Sequence, residues 1–236
     1  MTVFQYHPEI LSNYPNVVGG VIVARGVRNA ATPDALLSAY RTAQQATLER
    51  IGSMPLSQIP SLAAWRGVFR SFGVDPTQIR SASEALLRRL TKQGDIPSIN
   101  TLVDIGNLVS IRYALPVAMF DLRSAQGAIT VRFASGSERF TNLGQTEVEH
   151  PDFGEVIFAD DAGLVFARRW CWRQSDQSAS REDTTDLLVT VEAHHDGGRR
   201  AVEIAVGDLS ALLRQFAGGS LSSSILDKYS ARHESL

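Results

Sequence analysis

The hydrophobic period of this chain changes part-way along its length. Up to about residue 113 apolar side chains recur mostly at helical spacing. From Ala118 onward they come in runs of strand length, separated by turn residues. A chain of this kind must bury helix faces against sheet faces. The expectation is an α/β (α+β) layered fold, with helices in the first half and mainly antiparallel strands in the second.

In the first half, "VVGGVIVARG" (Val17–Gly26) reads as a buried strand, because β-branched residues dominate it. Thr32-Pro33 then reads as a helix cap followed by proline in the first turn, with a helix from Pro33 to about Ile51. "SLAAWRGVFRSFG" and "SASEALLRRLTKQG" read as amphipathic helices, each stopped by glycine. In the second half, strands are expected at Ala128–Phe133, Glu138–Asn142, Glu155–Ala159, Leu164–Arg169, Leu187–Ala193 and Ala201–Ala205. "GDLSALLRQFAGG" reads as a last helix, and the polar tail after it as frayed. No repeat and no clear linker divides the 236 residues, so one intertwined domain is expected over 1–236.

Composition narrows the function. A net charge of −2 argues against strong non-specific nucleic-acid binding, and no DNA partner is expected. Residues 61–112 nevertheless hold seven Lys/Arg against four Asp/Glu, a local basic bias. No apolar run reaches membrane-spanning length, and the single cysteine forms no internal disulfide. A soluble cytoplasmic protein is expected. There is no P-loop, no dinucleotide glycine fingerprint and no zinc-ligand spacing, so neither cofactor nor metal is expected. His194-His195 beside "DGG" reads as a solvated hairpin turn, and Cys171 as a buried small hydrophobe.

Three stretches remain: "RSASEALLRRL" (Arg80–Leu90), "GDIPSINTLVDIGNLVSIRYALPVAMFD" (Gly94–Asp121) and "ARRWCWRQSDQSAS" (Ala167–Ser180). In the second, Asn100-Thr101 caps a new helix and Asp104 sits in its first turns, where the helix dipole favours negative charge. Asn107 is either an internal hydrogen-bonding asparagine or a cleft residue that binds a polar ligand group. In the third, Trp170 and Trp172 alternate with Arg169, Cys171 and Arg173. Read as a strand, it has an aromatic face and a basic face. These are either core tryptophans with solvated arginines, or a pocket wall that offers stacking and a guanidinium for carboxylate or phosphate.

The order of these motifs resembles the B3/B4 domain of the bacterial phenylalanyl-tRNA synthetase beta subunit, over about residues 80 to 193. The matching features are Ile99-Asn100, Val103-Asp104, Asn107, Pro116 with Phe120-Asp121, Arg132, Ser137-Glu138 and Asp160-Asp161. The flanks and "RWCWRQS" look more like free-standing relatives of that domain. In the synthetase this domain hydrolyses tyrosine wrongly esterified to the phenylalanine tRNA. The resemblance therefore implies a pocket between two interleaved halves and a partner that is an aminoacyl-tRNA or a free amino acid. It implies either a deacylase acting in trans on misacylated tRNA or a binding module that has lost catalysis. Asn107, Gln174 and Ser175 are the catalytic candidates; Arg80, Ser83, Asn100, Trp170, Trp172 and Arg173 are the substrate-binding ones. Two departures stand out. Ala118 occupies the place of a histidine in the family's turn. "RWCWRQS" replaces a glycine-rich run that carries a tyrosine-reading glutamate, with Arg173 or Gln174 near that glutamate's place, so the tyrosine-specific pocket is not expected to survive.

Overall fold

The computed structural model describes residues 2–235. In chain order, β1 (Thr2–Tyr6), α1 (Pro8–Asn13) and β2 (Val18–Arg25) lead into α2 (Asp34–Ile51), α3 (Pro60–Ser71), α4 (Ala82–Gln93) and α5 (Thr101–Tyr113). Strands follow: β3 (Val117–Asp121), β4 (Ala128–Phe133), β5 (Phe140–Thr141), β6 (Val148–Glu149), β7 (Val156–Ala159), β8 (Val165–Arg168), β9 (Arg173–Gln174) and β10 (Asp186–Ala193). Helix α6 (Gly198–Phe216), β11 (Ser220–Leu226) and β12 (Arg232–Ser235) close the chain. The result is a mixed α/β fold in which helices crowd the first half and antiparallel pairing dominates the second.

Three layers build the core. A four-stranded sheet, β11-β2-β10-β3, lies in the middle. One face packs on α2, α4, α5 and α6 through Ile22, Leu187, Val189 and Val191. The other face, with Val21, Val23, Phe120 and Leu188, packs on a six-stranded sheet ordered β12-β1-β4-β7-β8-β9. In that second sheet β1 and β4 are parallel and the other pairs antiparallel. Alternate residues of β10 therefore face helices and sheet in turn, and both faces are covered.

The local signals of the helices hold. Ser81 accepts from the Glu84 N–H at 3.3 Å, Asn100 accepts from the Val103 N–H at 3.0 Å, and Gly94 ends α4 in the left-handed region. Asp104 does more than answer the helix dipole. It is fully buried and accepts from the Thr32 hydroxyl (2.6 Å), the Ile99 N–H (3.0 Å) and the Ser98 hydroxyl. Thr32 therefore ties α2 to α5 instead of capping α2, whose N-cap is Pro33 without a side-chain bond.

Three expectations are corrected. Ala201–Ala205 is not a strand but part of α6, because Val202, Ala205, Val206, Leu209 and Leu213 form one buried helical face. "HHDGG" is not a hairpin turn: β10 passes directly into α6, and His194 is buried. The polar tail is ordered as β11 and β12, one edge strand for each sheet, with Ser222 and Ser224 hydrogen-bonded to the two ring nitrogens of His233. Four more strands add to the expected set: "VAMFD" forms β3, β1 pairs near the N-terminus between β12 and β4, and β6 and β9 are two-residue strands.

Candidate functional site

The even-numbered residues of β10 face the six-stranded sheet, so Thr190 and Glu192 look into the sandwich. A small recess of about 70 Å³ opens there, lined among others by Ala118, Phe120, Phe158, Trp170, Gln174 and Glu192. Ala118 stands opposite Thr190 in the sheet and contributes only a methyl group to the wall.

Glu192 is 2% exposed. Its Oε1 accepts from the Tyr6 hydroxyl at 2.5 Å and from the Trp170 indole N–H at 3.0 Å. Burial pushes this carboxyl up to about 7, while the two donors pull it back. Near neutral pH the group is therefore divided between acid and base, the state suited to exchanging a proton with a ligand. Gly19, paired with Glu192 across β2 and β10, makes the arrangement possible: a Cβ there would lie 2.1 Å from the Tyr6 hydroxyl oxygen.

Trp170 and Trp172 do not alternate along a strand. Residues 169–172 form a tight turn between β8 and β9, with positive φ at Arg169 (46°) and Trp170 (62°). Neither residue is glycine, and left-handed backbone costs each about 1–2 kcal/mol. The turn is held from both sides. The Trp170 N–H donates to the Val156 carbonyl at 2.6 Å, the Arg169 N–H donates to Glu155 Oε1 at 2.9 Å, and the Ala82 N–H at the start of α4 donates to the Cys171 carbonyl at 2.7 Å. Beneath it, buried Arg168 grips buried Glu155 with two bonds of 3.0 and 2.8 Å. The turn sends the two indoles in opposite directions. Trp170 goes inward against Trp65, Tyr14 and His194 and narrows the recess. Trp172 stays near the surface, with the guanidinium groups of Arg169 and Arg173 each 4.4 Å from its ring centre.

A second recess, of about 460 Å³, adjoins the first and shares Val117 and Gln174 with it. Its wall includes Val103, Asn107, Met119, Asp176, Ser180 and Arg181. Asn107 is half-buried, with its carboxamide beside the Tyr40 hydroxyl. Gln174 stands where the recesses meet. Its Nε2 donates to the carbonyls of Met119 (3.0 Å) and Ser178, which leaves its carbonyl oxygen to present to a ligand.

The sequence candidates thus separate. Asn107, Gln174, Trp170, Trp172 and Arg173 line the two joined recesses. Ser175 is fully buried and donates to Ser178 Oγ at 2.9 Å, within the loop. Ser83 is fully buried beside Ser81, and Asn100 caps α5 while donating to the Ser180 carbonyl at 3.3 Å. Arg80 lies outside the recesses, on a basic surface next to Trp172. Glu192, Tyr6 and the Arg168–Glu155 pair were not singled out in the sequence. Glu192 had one signal, an acidic residue inside a β-branched run, and that pattern equally describes a solvent-facing strand. Among the described residues no group of three or more His, Cys, Asp and Glu could hold a metal ion, and no helix is long and apolar enough to cross a membrane.

A family model described as the B3/4 domain matches residues 64–205. The chain belongs to the B3/4 domain family. This B3/4 chain is 33% identical over 89 residues to the phenylalanine–tRNA ligase beta subunit of Shewanella oneidensis, covering 38% of this chain and 11% of that one. It is 29% identical over 196 residues to the corresponding subunit of Nocardia farcinica, covering 73% and 22%. In these two comparisons the chain spans less than a quarter of the relative's length. Among solved structures it is similar to an N-terminal fragment of the phenylalanyl-tRNA synthetase beta subunit from Pyrococcus horikoshii, with a TM-score of 0.48 and 12% identity over 93% of this chain and 50% of that one. The turn with two left-handed residues lies within the B3/4 match, as do the residues that line both recesses.

Proposed function

We propose that this B3/4 chain hydrolyses the ester that joins an amino acid to tRNA, acting on a misacylated tRNA. The observation that carries the reading is the junction at Gln174. There an apolar recess floored by an ionisable carboxyl meets a second recess lined with amide, carboxylate and guanidinium groups. The amino-acid side chain enters the first recess, toward Glu192. The α-ammonium meets the Gln174 carbonyl oxygen and Asp176. Asn107 offers an amide donor to the developing oxyanion. An aminoacyl ester is already activated, so the site needs only to position a water. Water oxygen bonds to the carbonyl carbon, the bond to the ribose oxygen breaks, and the proton ends on that oxygen. Trp170 narrows the first recess, which favours a side chain smaller than an aromatic ring. A separate hydrolytic site of this kind adds discrimination that a single binding step lacks.

The test is release of amino acid from a panel of correctly and incorrectly charged tRNAs, with the wild type beside Asn107→Ala and Arg173→Ala. Selective release that the variants lose supports the reading. A second reading is favoured by Ala118, which brings no imidazole to the wall, and by Ser175, whose hydroxyl is engaged inside the loop. It is a module that binds an aminoacyl end or a free amino acid without cleaving it. Tight binding with no release from any member of the panel selects that one.

A further inference from the structure

The surface beside the first recess carries an unbalanced charge. On α4, Lys92 stands three and four residues after Arg89 and Arg88, at helical neighbour spacing from each, and all three are exposed. None of the three side chains makes an ion pair or hydrogen bond among the described residues. Arg80, just before α4, and Arg173, from the end of the β8–β9 turn, complete the rim of a shallow concavity of about 430 Å³. No Asp or Glu lines the concavity, and the carboxylate paired with Arg80 is that of Glu84. It is buried, held by Arg66 at 2.6 Å, and 3.9 Å from Arg80, so it neutralises little of the rim.

Trp172 and Arg173 line both this concavity and the first recess. The indole holds the Arg173 guanidinium over its ring, and Arg173 also donates to Asn142 Oδ1 at 3.3 Å. A polyanion lying along α4 would therefore be led over Trp172 to the recess mouth. Few ligands need phosphate contacts, an aromatic or guanidinium platform and an end that enters a pocket. A single-stranded RNA terminus needs all three. An acidic peptide would not use the platform. An anionic membrane would want apolar side chains on this face, and the concavity offers none larger than Ala85 apart from Trp172.

We propose that the outer face of α4, with Arg80, Arg88, Arg89, Lys92, Trp172 and Arg173, is the landing surface for the single-stranded 3′ end of an RNA. The inference rests on the reading that the amino acid arrives attached to tRNA, and it names the surface that carries the nucleic acid. The overall charge of −2 is compatible with it, because the basic groups are concentrated on one side of the recess mouth.

The experiment measures fluorescence anisotropy of a short labelled single-stranded RNA ending in CCA, uncharged, over a range of salt concentrations. The wild type is compared with the combined variant Arg88→Glu, Arg89→Glu, Lys92→Glu and with Trp172→Ala, after thermal melts confirm that each is folded. The combined variant is expected to bind on the order of tenfold more weakly or worse, and its slope of log affinity against log salt to fall by about 2, at roughly 0.7 for each phosphate no longer neutralised. Trp172→Ala is expected to weaken binding with little change of slope. Unchanged affinity and slope in the combined variant overturn the landing surface. So does equal competition by polyglutamate or phosphatidylserine vesicles. Hydrolysis fails separately: if the wild type binds the RNA but releases no amino acid from charged tRNA, the cleavage step falls and the landing surface stands.

Discussion

The Tyr6 hydroxyl donates to Glu192 Oε1 at 2.5 Å, across 186 positions of sequence and from one sheet to the other. The contact fixes the floor of the recess in a layer that is mostly apolar. It also makes the carboxyl's proton part of the folding equilibrium. The folded-state value is raised to about 7, from an ordinary value of 4.5. Stability from this group is complete below about pH 4.5 and is lost as pH rises to about 7, by about 3 kcal/mol. Glu192→Gln keeps an acceptor for Tyr6 and Trp170 but cannot titrate. Urea melts at several pH values should show that the variant lacks this loss. A wild type whose stability rises across the same window relative to the variant would contradict the assignment.

His194 titrates in the opposite sense. Burial holds its imidazole down at about 3, below an ordinary 6.5, with His195 adding to the effect. Its ring packs edge-on to Trp65 at 4.5 Å and to Trp170 at 5.0 Å. Its contribution is complete above about pH 6.5 and is lost as pH falls toward 3. Between about pH 4.5 and 6.5 the two residues offset one another. His194→Gln should therefore gain stability on acidification from about pH 7 to 4.5, where Glu192→Gln should lose it. Parallel pH profiles of the two variants would refute the pairing.

The Arg168–Glu155 pair carries the turn that aims both tryptophans. Removing Glu155 leaves buried Arg168 only its 2.9 Å bond to the half-exposed Glu149, so Glu155→Ala should cost about 3 kcal/mol, the low end for breaking a buried pair. It also frees the Arg169 N–H, so Trp172 should become more mobile. Trp172 fluorescence, read in a Trp65→Phe, Trp170→Phe background, should then shift toward the solvent-exposed value. An unshifted spectrum with a small loss of stability would show that the turn is fixed by other contacts.

Gly19→Ala places a methyl group where the Tyr6 hydroxyl now sits. The ring must move, and Glu192 loses a donor. The expected cost is about 1–3 kcal/mol, the range for overpacking a core. The pH dependence assigned to Glu192 should also extend to higher pH, because the missing hydrogen bond had pulled the carboxyl down. A melt that matches the wild type at every pH would place Tyr6 elsewhere.

The layered fold was legible in the sequence because helix signals are local. Ser81, Asn100 and Gly94 each act within one turn of themselves, and they hold in the structure. Glu192 was not legible. In "LLVTVEA" polar residues alternate with apolar ones at 190 and 192, a pattern that fits a solvent face equally well, and only the six-stranded sheet, from distant segments, covers them. The turn at 169–172 was missed for a related reason. Its left-handed residues are arginine and tryptophan, and what imposes their conformation is Glu155 and the Val156 carbonyl, not their own preference. The tail strands were hidden by their serines, which are edge-strand residues bonded to His233. Gln174, Trp172 and Arg173 could be chosen because two tryptophans and a run of amide and hydroxyl groups are uncommon in a connector, and Asn107 because it interrupts the apolar run of α5.

The most direct measurement is a crystal structure with a non-hydrolysable aminoacyl-adenosine analogue, its ester replaced by an amide. The expected result is a side chain between the sheets within reach of Glu192, the amide at Gln174 and the adenosine at the mouth beside Trp172 and Arg173. An analogue bound elsewhere, with the recess floored by Glu192 left empty, would contradict it.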